Sequence, residues 1–208
     1  MKVLELFAGS RSIGKAAESL SMEVFSSDIN AFDGIDYVVD ILDFDVNNVP
    51  FVPDIIWASP PCTSYSIAAI SHHRDGQKPR TPFAEKSDRM IAKVHDIIDY
   101  FIAINPDVVY FIENPRGMLR KMDFMRRHVI RRCVTYCQYG DNRMKPTDIW
   151  TNTLIWNPRP MCKNGSPCHE AAPRGSKTGT QGLKGNYQRS KIPNELCLEI
   201  LQSTTNYA

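Results

Sequence analysis

The sequence has no long apolar run, and this absence excludes a broad class of protein. No stretch approaches the roughly 20 apolar residues of a membrane-spanning helix, so we expect no membrane partner. The opening "MKVLELFAG" is too short for the apolar core of a secretion signal. The six cysteines are irregularly spaced, which favours free thiols or a metal site over a disulfide scaffold. We therefore expect a reducing, cytoplasmic compartment, namely the host cytoplasm if the chain is phage-encoded.

The sequence also lacks a strong net charge of one sign, but its charges are unevenly distributed. The formal net charge is +2. Residues 1–54 contain ten acids and three Lys or Arg, whereas residues 115–132 and residues 159–191 each contain seven Lys or Arg and one acid. An acidic half joined to a basic half is typical of a protein that binds a polyanion on one side. A solvated surface whose charges balance explains the same pattern.

Strand and helix patterns alternate along the chain. "KVLELF", "EVFSSD", "YVVD", "DIIWAS", "DVVYFIEN", "CVTYCQY" and "DIWTNTLIW" predict strands, and the apolar spacing of residues 12–20, 88–104 and 194–202 predicts helices. Near-continuous apolar strands alternating with helices indicate an α/β fold with a doubly wound, mostly parallel sheet. We expect residues 1–157 to form this domain. Residues 158–208 would form a basic, loop-rich segment whose final helix returns to it.

Small or polar residues follow five of the predicted strands. Ligands of doubly wound sheets bind at the carboxyl ends of the strands. There the sequence has "FAGS", Asp28, Asp40, "SPPC" and "ENP". A glycine-bearing turn lets a ligand approach backbone N–H groups, and the two carboxylates could accept hydrogen bonds from ribose hydroxyls or an exocyclic amine. Each acid could instead only cap a helix.

The order of these motifs resembles that of the cytosine-5 DNA methyltransferases. The matching stretches are "LELFAGSRSIGKAAE", "SSDIN", "VDILDFD", "PDIIWASPPCTSYS", "VVYFIENPRGML" and "YCQYGDNRMKPTDIW". The resemblance covers residues 2 to 156 and returns weakly in "GNYQRSKIPNELCLEIL". Its specific part is the Pro-Cys and Glu-Asn pairs. It implies a Rossmann-like methyltransferase fold, S-adenosylmethionine as cofactor and duplex DNA with a flipped cytosine as substrate.

The resemblance also assigns roles to residues. Cys62 would attack carbon 6 of the cytosine and so make carbon 5 nucleophilic, while Glu113 would protonate N3. Arg143 or Lys145 would contact the base's O2 or its phosphate, and the choice between them stays open. The expected cofactor-binding residues are Phe7, Ala8, Gly9, Ser10, Asp28, Ile29, Asp40, Ile41 and Pro60. The expected nucleic-acid-binding residues are Ser64, Ser66, Arg116, Arg159, Arg174, Lys177, Lys184 and Arg189.

The chain departs from this family in size. After Trp156 it has only about thirty residues where the family inserts a target-recognition domain, so it resembles the compact, phage-type members. A recognition segment this small makes few contacts with DNA bases, so discrimination between DNA sequences would be limited or supplied by a protein partner. The alternatives are an exocyclic-amino DNA methyltransferase, an RNA or nucleotide cytosine methyltransferase, and a non-catalytic nucleic-acid-binding relative. A thiol in the "SPPC" motif favours carbon-5 chemistry, because attack by nitrogen needs none.

The remaining cysteines and one polar stretch give three further expectations. Cys162, Cys168 and His169 have a spacing that could bind zinc, but one more ligand is required, so we expect no metal site. Cys133 and Cys137, four apart on a predicted strand, are expected to point to one face and lie in the core. The polar residues 63–86 predict a long mobile loop that covers the site.

Overall fold

A computed structural model describes residues 1–171 and 185–205, and its centre is a seven-stranded sheet. The strands are β1 (Lys2–Leu6), β2 (Glu23–Asp28), β3 (Tyr37–Val38), β4 (Ile55–Ala58), β5 (Arg74–Asp75), β6 (Lys78–Pro79), β7 (Val109–Pro115), β8 (Ile130–Thr135) and β9 (Pro146–Thr151). The helices are α1 (Ser12–Ser19), α2 (Ile70–His73), α3 (Pro82–Ile104), α4 (Asn186–Ser190) and α5 (Asn194–Thr205). All seven segments predicted as strands contribute to this sheet.

The order of the strands creates a crevice at the centre of the sheet. The order is β3-β2-β1-β4-β7-β9-β8, and β5 and β6 form a separate hairpin. β1 is parallel to both β2 and β4, and β4 is parallel to β7, whereas β9 is antiparallel to both of its neighbours. The chain moves outward from β1 to β3 and then returns to β4 on the other side of β1. The predicted doubly wound, mostly parallel sheet is confirmed, and its switch point lies between β1 and β4.

Helices cover both faces of this sheet, because successive strand residues point to opposite sides. Leu4 and Ile56 face a cluster that includes Val94 of α3. Val3 and Trp57 face the cluster of α1 and α5 on the other side. Since α5 packs directly on α1, the last helix returns to the sheet domain.

The polar stretch after β4 is more ordered than the sequence predicts. It contains a 3-10 helix (Thr63–Tyr65), α2 and the β5–β6 hairpin, so the expectation of one long loop is wrong. α3 begins at Pro82, not near Asp88. The Thr81 side chain accepts a hydrogen bond from the Ala84 N–H, and proline is favoured in the first helical turn. The apolar period starts later than these capping signals, which is why it predicted a shorter helix.

Two of the broad expectations can be compared directly with the structure. All six cysteines are free of disulfides, as their irregular spacing predicted. Within residues 1–171 and 185–205, none of the helices has both the length and the apolarity needed to cross a bilayer.

Candidate active site

Cys62 lies directly beyond the carboxyl end of β4, where the sequence predicts a nucleophile. Two prolines lead from the strand to this half-buried residue, and the 3-10 helix Thr63–Tyr65 begins directly after it. The Tyr65 N–H donates to the Cys62 carbonyl at 3.0 Å. The Trp57 indole donates to Ser59 Oγ at 2.8 Å. These two bonds hold the turn on both sides of the thiol.

Glu113 lies on β7, the strand next to β4. Only 5% of this residue is exposed, and its Oε1 accepts a hydrogen bond from the Tyr136 hydroxyl at 2.9 Å. The following residue, Asn114, donates through Nδ2 to the Pro60 carbonyl at 2.9 Å. The structure therefore brings the two predicted catalytic residues to neighbouring strand ends, and a hydrogen bond joins the end of β7 to the turn that leads to Cys62.

The two predicted cations, Arg143 and Lys145, differ in their surroundings. The Arg143 guanidinium is held by the Asp141 carboxylate and donates to the Lys191 carbonyl at 3.3 Å. Lys145 Nζ donates to the Arg189 carbonyl at 3.1 Å and lies 4.6 Å from the centre of the Tyr136 ring. Arg143 therefore stabilises the loop that carries both cations. Lys145 instead places its charge beside Tyr136, which binds Glu113.

The charges around Cys62 oppose one another. Burial raises the pKa of the Cys62 thiol, and the Glu113 carboxylate raises it further, whereas the Lys145 and Arg189 charges lower it. Burial also lowers the pKa of Lys145, against the effect of Glu113. Because the thiolate is the nucleophilic form, the reactivity of Cys62 depends first on burial, which opposes ionisation, and then on the balance between Glu113 and these two cations.

The turn after β1 has an unusual backbone conformation. Phe7, Gly9 and Arg11 have positive φ values of 57°, 51° and 54°, which non-glycine residues rarely adopt. The Gly9 N–H donates to Asp28 Oδ2 at 3.0 Å, so this turn is tied to the end of β2. Backbone strain of this kind is concentrated at ligand sites. The turn that contains the predicted cofactor residues 7–10 is thus joined to Asp28, and within it Ala8 and Ser10 are buried.

The other predicted cofactor residues are less uniform. Ile29 is 58% exposed, and an exposed apolar side chain beside the Asp28 carboxylate suits a ligand with an aromatic base and a hydroxyl-bearing sugar. Asp40 is already paired with Lys86 at 2.7 Å, and the hydrogen bond from Lys86 lowers the pKa of Asp40. Ile41 and Pro60 are buried, so their side chains present little surface to a ligand.

The segment 185–192 crosses from the turn after β1 to the cations. The Ile192 N–H donates to Ser12 Oγ at 3.1 Å. A Cβ added to Gly9 would lie 3.3 Å from Ser190 Oγ, and Arg189 accepts from Lys145 as described above. A cavity of about 260 Å³ lies where this segment meets α1, and its lining residues are Ser10, Ser12, Lys15, Tyr187, Lys191, Ile192 and Asn194.

The predicted nucleic-acid contacts occupy different environments. Ser64 is fully buried, and its carbonyl accepts from the buried Arg74 at 3.0 Å, so a contact through Ser64 would require this loop to open. Ser66 is half-buried and Arg116 is exposed. Arg159 donates to Glu195 and Glu199 of α5 at 2.7 and 2.8 Å, which neutralises it within the protein. Arg174, Lys177 and Lys184 lie outside the described residues.

Comparison with known proteins identifies a relative along almost the whole chain. The sequence is 27% identical, over 224 aligned residues, to the "Probable DNA (cytosine-5)-methyltransferase" of Frog virus 3 (isolate Goorha). The alignment covers 97% of this chain and 99% of that protein. The resemblance to the cytosine-5 DNA methyltransferases is confirmed. No family model matches the sequence.

Solved methyltransferase structures share the fold at low sequence identity. The Entamoeba histolytica methyltransferase EhMeth superposes with a TM-score of 0.55 at 17% identity, covering 76% of this chain and 54% of that one. A mutant of Spodoptera frugiperda DNMT2 gives a TM-score of 0.52 at 18% identity, covering 80% and 57%. The chain thus spans about half the length of these solved methyltransferases. Their likeness establishes the Rossmann-like methyltransferase fold.

Three residues of the site were not predicted to act there. Tyr136 was assigned to a strand, yet it begins the 3-10 helix Tyr136–Tyr139 and binds Glu113. Asn114 follows Glu113 in the "ENP" motif, and this position was the available signal for its role. Gly117 is buried where the chain after β7 meets the turn that follows Cys62. These roles depend on contacts between residues far apart in the chain.

The close approach at Gly117 gives a testable prediction. A Cβ at this position would lie 2.5 Å from the Tyr65 carbonyl oxygen, so Gly117→Ala must displace either the turn that follows Cys62 or the chain after β7. We expect a loss of about 1–3 kcal/mol in the free energy of unfolding, measured by chemical denaturation, and a fall in methyl transfer. Cofactor affinity should not change, because the turn after β1 is not involved. Wild-type stability and turnover would show that the turn tolerates this displacement.

Proposed function

We propose that this chain is an S-adenosylmethionine-dependent enzyme that forms 5-methylcytosine in DNA. One observation carries the proposal. A half-buried cysteine and a buried glutamate stand on neighbouring strand ends, tied by the bond from Asn114 to Pro60, with Lys145 acting on both charges. The curated relative supports it by name and aligns over nearly its full length.

Cys62 and Glu113 would divide the covalent chemistry between them. The Cys62 thiolate adds to carbon 6 of the flipped cytosine, and the π electrons of the ring move toward N3, where Glu113 supplies a proton. Carbon 5 becomes nucleophilic as a result. S-adenosylmethionine, when bound, supplies the methyl group that carbon 5 receives. Transfer of the carbon-5 proton to solvent then restores the double bond and expels the Cys62 thiolate, while N3 returns its proton to Glu113.

The coupling between the two residues suits this sequence. Glu113 must be protonated in order to donate to N3, and a protonated Glu113 no longer opposes ionisation of Cys62. Protonation of Glu113 therefore both makes it a proton donor for N3 and favours the thiolate form of Cys62. Lys145 would stabilise the thiolate. Arg143 would position Lys145, because it pairs with Asp141 within their common loop and the loop is bonded to the segment 185–192.

The cofactor would lie along the turn after β1 and the end of β2. Residues 7–10 offer backbone close to α1, Asp28 offers a carboxylate for the ribose, and the exposed Ile29 offers an apolar surface for adenine. Asp40 would serve as a second acceptor if the Lys86 side chain moves, since the two are paired.

Duplex DNA would approach the face that carries Cys62, with residues 1–157 as the catalytic domain and the basic residues 158–208 as a minimal recognition segment. The exposed Arg116 and the half-buried Ser66 and Arg189 lie on elements that adjoin the thiol. Arg159 would help to fix the segment to α5. A partner protein would add sequence discrimination that so short a segment lacks.

Locating the transferred methyl group tests the proposed function. The protein is incubated with methyl-labelled S-adenosylmethionine and, separately, with duplex DNA, RNA and free cytidine nucleotides. We expect label on carbon 5 of cytosine in DNA and little on the other two. Label on the exocyclic nitrogen would identify an amino-methyltransferase. Label on RNA alone would reassign the substrate, and label on none would favour a non-catalytic relative.

Asp28→Ala tests the cofactor site. Loss of a charge-assisted hydrogen bond to the ribose should weaken binding of S-adenosylmethionine by about 1.5–3 kcal/mol, which is roughly 10- to 150-fold in Kd. Isothermal titration calorimetry measures this. Asp33→Ala is the matched control, since it removes an exposed acid from the same loop and should bind normally. Equal affinity for both variants would remove Asp28 from the site.

A further inference from the structure

Four metal-ligating side chains meet outside the candidate active site. Cys137 lies in the 3-10 helix after β8, whereas Cys162, Cys168 and His169 follow β9 by more than ten residues. Their sulfur atoms and one imidazole nitrogen all lie within 4.8 Å of one another. The fourth ligand that the sequence pattern lacked is therefore Cys137. It was not considered as a ligand because it was expected to lie on a strand in the core.

The separations of these atoms match a tetrahedral metal site. Zinc binds thiolate at about 2.3 Å and imidazole at about 2.0–2.1 Å, which puts neighbouring ligand atoms about 3.5–3.8 Å apart. Cys168 Sγ lies 3.7 Å from Cys137 Sγ and 3.2 Å from Cys162 Sγ. His169 Nδ1 lies 3.4 Å from Cys162 Sγ and 3.7 Å from Cys168 Sγ. A disulfide needs about 2.05 Å between its sulfur atoms, so this cluster has the spacing of ligands around an ion.

We propose that Cys137, Cys162, Cys168 and His169 bind a structural zinc ion. Three thiolates and one imidazole are a ligand set that zinc favours, and four protein ligands leave no open position for catalysis. Neighbouring groups support the ligands as well. The Gln138 amide donates to Cys168 Sγ at 3.4 Å, and the Cys162 N–H donates to Thr135 Oγ1 at 2.8 Å. Such outer contacts orient metal ligands.

The position of the ion suggests what it stabilises. It joins the 3-10 helix Tyr136–Tyr139, whose first residue binds Glu113, to the start of the basic segment. Directly after the last ligand, the Glu170 N–H donates to the Asn142 carbonyl at 2.9 Å, in the loop that carries Arg143 and Lys145. Zinc would therefore anchor residues 162–169 to the 3-10 helix Tyr136–Tyr139 and would order the loop beside Cys62.

Metal content and cobalt spectroscopy test the site without measuring methyl transfer. Protein purified under reducing conditions, without chelator, should contain one zinc per chain by elemental analysis. Cobalt(II) in its place should give the visible bands of a tetrahedral ion and thiolate-to-metal charge transfer in the near ultraviolet. Cys168→Ser should lose most of the affinity, and it is expected to fold because Cys168 is exposed. Cys133→Ser is the matched control, since this half-buried β8 cysteine lies outside the cluster, and it should bind one zinc.

Three results would overturn the proposal. They are wild-type protein that binds neither ion after reconstitution, a Cys133→Ser variant that loses as much zinc as Cys168→Ser, and a Cys162–Cys168 disulfide in protein kept under reducing conditions.

Chelation of the zinc-loaded protein gives a second measurement. Amide hydrogen exchange should increase in residues 136–145 and 159–170 and stay unchanged in β1 and β4. Because none of these readouts uses cofactor or DNA, the zinc site can fail or stand independently of the proposed methyltransferase activity.

Discussion

Cys62→Ser should abolish methyl transfer and leave the affinity for S-adenosylmethionine unchanged. A serine hydroxyl does not ionise near neutral pH, so it cannot add to carbon 6 as a thiolate does. The proposed cofactor residues 7–10, Asp28 and Ile29 lie at the ends of β1 and β2, whereas Cys62 follows β4. Turnover of labelled cofactor on duplex DNA measures the first effect, and calorimetry measures the second. Cys133→Ser serves as the control, because this thiol lies on β8, away from the site.

A mechanism-based trap makes the same prediction directly visible. DNA that contains 5-fluorocytosine should form a covalent adduct with the wild-type protein, because fluorine at carbon 5 cannot leave as a proton does. Mass spectrometry of peptides should locate the adduct on Cys62, and the Cys62→Ser variant should form none. Full methylation by that variant would show that the carbon-5 mechanism is wrong and would favour attack by an exocyclic nitrogen instead.

The sheet and the position of Cys62, the proposed nucleophile, were predictable because both depend on local sequence. An apolar run such as "DIIWAS" buries a strand on both faces, and the polar or small residues after it must lie at the edge of the sheet. Cys62 and Glu113 follow from this rule once their strands are neighbours, and β4 and β7 do pair. The register between β4 and β7 does not affect this prediction, because Cys62 and Glu113 both lie at the carboxyl ends of their strands.

Contacts between distant residues could not be predicted from one sequence. The acid at Asp40 has the right position for a ligand, but Lys86, which lies 46 residues away, occupies it. Arg159 belongs to a basic stretch, yet it is paired with two glutamates of α5. The spacing of Cys133 and Cys137, four residues apart, predicted that both lie on one strand. β8 ends at Thr135, and the 3-10 turn that follows directs Cys137 toward Cys162 and Cys168.

Glu113→Gln should change methyl transfer and the reactivity of Cys62 in opposite directions. Methyl transfer should fall by roughly 10²–10⁴-fold, the usual contribution of a positioned general acid, because an amide cannot protonate N3. The Glu113 charge raises the pKa of Cys62, so its removal should lower that pKa and increase the thiolate fraction at neutral pH. Alkylation of Cys62 by iodoacetamide should therefore become faster. The amide oxygen can still accept the Tyr136 hydrogen bond, which keeps the fold intact.

The pH profile of alkylation, followed at Cys62 by peptide mass spectrometry, separates this electrostatic effect from damage to the site. Alkylation should rise with pH in every variant, because the thiolate is the reactive form. Its midpoint should move to lower pH in Glu113→Gln. It should move to higher pH in Lys145→Met, since the Lys145 charge lowers the Cys62 pKa. Glu23→Gln, an exposed acid on β2, should leave the midpoint unchanged. If Glu113→Gln shifted the midpoint upward or not at all, the carboxylate would not oppose ionisation of the thiol, and the shared placement of protons proposed for the reaction would have no basis.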